Sequence, residues 1–223
     1  AEQTCNAGIQ DAINRAVAAG VVVVAAAGNG HGIDVADVLP AGCNNVIAVA
    51  ATTRAGEIAS FSNVGSRVSL SAPGGDAIVA ANGIFSLYNA GLTTAGVDNY
   101  TYLAGTSVAA AQVTAGVSLL LSVQPALSVN DVRTILSQTA QAFPAGGCPA
   151  ANCGAGILDL AAAVQLAQSF TPSGSGAVAT SSSGGGGGGC ALRTETTAEY
   201  DLAWLLVLTG LVVARRAPYA SRT

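Results

Sequence analysis

The chain has 223 residues, of which 9% are charged, with a formal net charge of −4. That length accommodates one domain of ordinary size and a tail. No basic cluster lies on the globular part, which argues against nucleic acid as a partner.

Residues 6–19 place Ile9, Ala12, Ile13, Ala16 and Val17 on one face and predict a helix that Gly20 ends. Val21-Val22-Val23-Val24-Ala25-Ala26-Ala27-Gly28-Asn29-Gly30 follows. A β-branched run without polar alternation predicts a strand covered on both faces, as in a parallel sheet. Gly28-Asn29 then lets the backbone turn at the carboxyl end of that strand, where open α/β sheets place their ligand sites. Asn29 supplies a neutral side-chain donor suited to a developing oxyanion.

The loop from Gly30 to Asn44 holds His31, Asp34, Asp37, Pro40 and Cys43. Asn45 to Thr52 predicts a second buried strand, Phe61-Ser62-Asn63-Val64-Gly65 a turn, and Val68 to Ser71 a short strand stopped by Ala72-Pro73-Gly74-Gly75. Residues 83–101 read as a loop-rich stretch containing Tyr88, Asn89 and Tyr100.

Gly105-Thr106-Ser107 opens a central apolar helix over about 107–122. Ser107 has two readings. It is an N-cap, whose oxygen accepts from first-turn amides. Alternatively it is a nucleophile, with the helix N-terminus favouring negative charge beside it. Ser128 and Asp131 form an N-cap pair for a helix from Val129 to about Thr139. A last helix spans about Asp159 to Gln168.

The five cysteines are Cys5, Cys43, Cys148, Cys153 and Cys190, and the single His is His31. No Cys/His spacing fits zinc. Thr171 to Gly189 collapses to Ser, Gly, Ala and Thr, which reads as a linker with no core to form. Leu202 to Ala214 is an apolar run followed by Arg215-Arg216. As a helix it is about 20 Å long against a bilayer core of about 30 Å, and its arginines would stay cytoplasmic. The expected division is 1–170, 171–200 and 201–223. With no Met and no secretory leader at its start, the sequence is expected to be a processed piece or a C-terminal fragment.

Ala26-Ala27-Gly28-Asn29 and Gly105-Thr106-Ser107, the latter followed by Ala109-Ala110 and Val113 to Gly116, together resemble the subtilase family of serine peptidases. The resemblance runs from about Cys5 to about Gln168. It implies a three-layer α/β/α fold with a mostly parallel sheet, incomplete at its N-terminus. It implies a secreted serine endopeptidase in which Ser107 attacks the peptide carbonyl, while Asn29 and the Ser107 amide hold the oxyanion. In subtilisin, itself a member of this family, losing that Asn donor costs about 100- to 1000-fold in turnover.

Ala26, Ala27, Gly28 and Thr106 are the substrate-binding residues the resemblance implies, the first three as one small apolar wall. It also implies the disulfides Cys5–Cys43 and Cys148–Cys153, leaving Cys190 over. Calcium follows from resemblance only, since no carboxylate cluster has ligand spacing. Gly-rich sequence, Cys190, a short apolar helix and basic residues resemble a bacterial C-terminal sorting signal. That implies placement in the envelope or secretion, a membrane contact, and a sorting protease acting near Gly189 or Cys190. A plain tail anchor is the alternative.

The family works with Asp, His and Ser in that order. His31-Gly32-Ile33-Asp34 does not match its catalytic His motif, so His31 reads as a loop histidine. The chain alone is therefore expected to be inactive. Val108, Ala111 and Gln112 stand where the family usually has Met, Pro and His, and they keep open a non-catalytic surface protein acting as a binding module. A dinucleotide turn at Gly28-Asn29-Gly30-His31-Gly32 is discounted, because no helix opens directly from it.

Overall fold

The computed structural model describes residues 4–76, 79–145 and 147–173. Linker, Cys190 and apolar tail, and with them the sorting and membrane expectations, lie outside the described residues.

Helix α1 (Ala7–Ala18) starts where the Asn6 side chain accepts from the Ile9 amide at 3.0 Å. Gly20 follows with φ +83°, and strand β1 (Val23–Ala26) begins three residues later. β2 (Val46–Thr52) and β3 (Val68–Pro73) complete a parallel sheet of order β1-β2-β3 among the described residues. The register pairs Val23 with Val46 and Ala26 with Val49.

Alternation along β2 divides the core. Ile47, Val49 and Ala51 face α2 (Thr106–Val123) and join Leu70, Val113 and Leu120 in one cluster. Val46, Ala48 and Ala50 face the α1 side, with Ile13, Ala25 and Val35. Both faces are covered, as a continuous apolar strand requires. β1 is only partly buried, because no strand pairs with its outer edge among the described residues.

α3 (Val129–Thr139) begins with a reciprocal capping box between Ser128 and Asp131. The short α4 (Ala150–Cys153) and α5 (Leu160–Ser169) follow, and α5 packs on α2 and α3. Asp131 does more than cap. It is buried, and its carboxylate also accepts from the Ser173 hydroxyl at 2.5 Å. Burial works against its charge, but the hydrogen bonds from Ser173 and Ser128 outweigh that and hold its pKa below the ordinary value.

Disulfides join Cys5 to Cys43, with Cα atoms 5.1 Å apart, and Cys148 to Cys153, 6.0 Å apart. The first ties the start of α1 to the loop before β2.

One stretch departs from the sequence reading. Residues 83–101 are not a loop-rich connection: β4 (Ile84–Asn89) and β5 (Asp98–Leu103) form an antiparallel hairpin. Apolar residues occupy both parities of β4, which hides the period-2 signal of a strand. The pairing itself joins residues up to 19 apart in sequence.

Candidate active site

Two chain turns meet at the carboxyl end of the sheet. The first follows β1. Gly28 has φ +97°, and a methyl there would meet Asn63 Nδ2 at 2.5 Å, so only glycine fits. Asn63 is buried and clasps this turn. Its Nδ2 donates to the Ala27 carbonyl at 3.0 Å, and its Oδ1 accepts from the Gly30 amide at 2.8 Å. Its own amide donates to the Gly28 carbonyl at 2.9 Å. The sequence reading treated Asn63 as a turn residue. Its missed signal was a buried polar side chain, which a turn between two strands does not reveal.

The second turn opens α2. Gly105 is the N-cap, and its amide donates to the Gly74 carbonyl at 2.8 Å. Ser107 sits one residue inside the helix, and no side-chain capping bond forms there. The N-cap reading of Ser107 is thereby overturned: the capping position falls two residues earlier. The hydroxyl is exposed and makes no hydrogen bond among the described residues. Its backbone amide is one of the first-turn donors that helix geometry leaves without an intrahelical partner.

Asn29 links the two turns. Its Oδ1 accepts from the Thr106 amide at 3.0 Å and from the Thr106 hydroxyl at 2.9 Å. A backbone N–H can only donate, so the oxygen must face Thr106. Nδ2 is then left as a donor on the other side. A methyl at Gly105 would stand 3.2 Å from Ser107 Oγ and 3.6 Å from Asn29 Nδ2. A hydroxyl, a free amide donor and a helix N-terminus therefore border one small space. Such a set stabilises negative charge developing on a carbonyl oxygen attacked by the hydroxyl.

A family model matches residues 2–174, and its description is the subtilase family. The chain belongs to the subtilase family. An extracellular protease of Xanthomonas campestris is 47% identical over 165 residues, which are 74% of this chain and 27% of that protein. Subtilisin DY of Bacillus licheniformis is 37% identical over 134 residues, 59% of this chain and 44% of that one. Among solved structures, a protease of Pseudoalteromonas arctica superposes with a TM-score of 0.70 at 40% identity, covering 75% of this chain and 49% of that one. The chain thus spans less than half the length of each of these subtilase relatives. The α/β fold with a parallel sheet is the family's.

The other site residues are placed less uniformly. Thr106 is wholly buried, with its hydroxyl donating to Asn29 and accepting from the Gly28 amide at 3.1 Å. Its side chain positions the two turns. Ala27 is also fully buried, with its methyl in the α1-side core. Ala26 and Gly28 are half-buried.

His31 is exposed at φ +59°, and its Nδ1 lies 3.2 Å from the Ser60 carbonyl. A carbonyl only accepts, so Nδ1 carries the proton in that bond. No hydrogen bond joins His31 to Ser107 among the described residues. Gln112 Nε2 donates to the Pro73 carbonyl at 2.6 Å and ties α2 to the end of β3. Among the described residues no group of three His, Cys, Asp or Glu could hold a metal.

Proposed function

We propose that this chain is part of a secreted serine endopeptidase. Ser107 is the nucleophile, and Asn29 Nδ2 with the Ser107 amide forms the oxyanion hole. The observation that carries the reading is the orientation of Asn29: Thr106 takes its oxygen and leaves the donor beside Ser107. Thr106 and Asn63 are positioning residues, each holding the turn that presents Asn29.

A serine hydroxyl also needs a general base, and the base needs a group that fixes its tautomer. The described residues bring no such pair to Ser107, so on this reading the base and its partner come from elsewhere in the protein. Secretion is supported by the extracellular relatives and by the two disulfides, which persist in oxidising compartments. A sorting or anchoring role for residues 201–223 rests on their sequence.

The test is covalent labelling of the full-length protein with a fluorophosphonate, followed by peptide mapping. The expected label sits on Ser107 and vanishes in Ser107→Ala. Asn29→Ala should lower peptide turnover about 100- to 1000-fold while the protein stays folded. A folded full-length protein that takes no label would leave a non-catalytic binding module instead.

A further inference from the structure

Among the described residues, most of the large apolar side chains that stay exposed lie in one segment, residues 85–102. The register of the hairpin puts Phe85 opposite Tyr102 and Leu87 opposite Tyr100, so these four share one face. Phe85 stacks on Tyr100 with ring centroids 5.4 Å apart and tilts against Tyr102 at 5.1 Å. All four remain about half to three-quarters exposed, from 49% for Tyr102 to 74% for Leu87. The only charged residue from Ile84 to Leu103 is Asp98, which accepts from Asn89 Nδ2 at 2.8 Å. The face is therefore apolar, preordered by its own stacking, and without charge of its own.

Its position says what covers it. β5 runs through Leu103 and Ala104 directly into Gly105-Thr106-Ser107. The base of the hairpin is pinned to the site. A methyl at Gly75 would lie 2.9 Å from Gly83 Cα and 3.0 Å from the Leu103 carbonyl, and the Gly105 amide bonds Gly74. Tyr102 and Ser107 are five residues apart, a reach of at most roughly 17 Å along an extended chain. A polypeptide whose scissile bond lies at Ser107 can reach the aromatic face with about five of its own extended residues. β4 and β5 also pair only with each other among the described residues, so each keeps an outer edge able to bond an extended backbone.

We propose that this face is a substrate-docking surface for extended polypeptide segments rich in aromatic and aliphatic side chains, selecting unfolded or loosely folded apolar proteins. The inference rests on Ser107 being the nucleophile. Docking remote from the reacting bond lowers KM for substrates long enough to reach it and leaves short ones unaffected, because both ground state and transition state gain the same contact.

Two substrates with one scissile core test this on the full-length protein. One is a short chromogenic peptide. The other carries six further residues containing Phe and Leu, placed on each side of the core in turn. Phe85→Ser with Tyr100→Ser should raise KM for one extended form on the order of tenfold, with kcat and the short substrate unchanged. Leu92→Ser, at a fully exposed position between the two strands, should change nothing.

Equal kinetics for variant and parent, an equal loss for the short substrate, or the same loss in Leu92→Ser would overturn the proposal. So would a parent dimer that the variant dissociates, since a second copy would then be the occupant. Fluorescence anisotropy of the extended peptide on Ser107→Ala reads the face without turnover. If the parent cleaves nothing but this binding is present and lost with Phe85 and Tyr100, the nucleophile assignment has failed and the docking face stands. Absence of that binding sinks the docking face whatever the turnover.

Discussion

Strand β2 carries Val46, Ile47, Val49 and three alanines, and every residue from Val46 to Thr52 is buried. The β4–β5 hairpin carries Phe85, Leu87, Tyr88, Tyr100 and Tyr102, and each of these is exposed. Both regions carry large apolar side chains, and connection decides whether those are covered. Parallel strands need crossovers, and here the chain around β2 puts α1 on one face and α2 on the other. An antiparallel hairpin returns through a short loop and brings no covering layer with it. Apolar residues in β2 are thus spent on stability, while those of the hairpin remain available for contact.

If that contrast holds, perturbations should grade from the body to the hairpin. Replacing Cys5 and Cys43 together by Ser should cost about 4 kcal/mol, from the loop entropy of a 38-residue separation. Denaturant unfolding with the hairpin intact would read it. Val49→Ala removes two methyl groups from a side chain with no exposure and should cost about 2 kcal/mol, transfer and cavity terms together. The matched change on the hairpin, Leu87→Ala, should stay within about 0.5 kcal/mol. Equal costs for the two would break the comparison and mean that something covers the hairpin in solution.

A smaller effect depends on pH. Asp131 has its pKa lowered by Ser173 and Ser128, so the unfolded chain binds more protons than the folded one as pH falls. Stability from this group is present above its unfolded pKa, near 4, and is lost as pH falls through the lower folded value. Asp131→Asn should flatten the acid limb of a thermal-unfolding pH series. An unchanged slope would show that Ser173 and Ser128 do not hold the carboxylate in solution.

Several features were legible locally. The α3 helix has its capping box at Ser128 and Asp131, where the spacing put it. β2 reads as buried on both faces because its apolar run has no alternation, and both faces are indeed covered. The two glycine-containing motifs that carry the family resemblance lie on the two turns that meet. The hairpin was not legible, since its strands mix parities and their pairing is not local. The roles of Asn63 and Thr106 were also hidden. Asn63 clasps a turn more than thirty residues upstream, and Thr106 bonds one more than seventy residues upstream.

The sequence by itself determined the helices, the buried strands and the residue types at the site, because these depend on periodicity, caps and turn residues within a few positions. Only the tertiary structure decided which way Asn29 points, that Thr106 and Ala27 are fully buried, and that the apolar face of the hairpin leading into Ser107 is left exposed among the described residues. The reason is physical. A side-chain amide takes its orientation from donors and acceptors brought up by the fold, and burial depends on what is packed against a residue as well as on the residue itself.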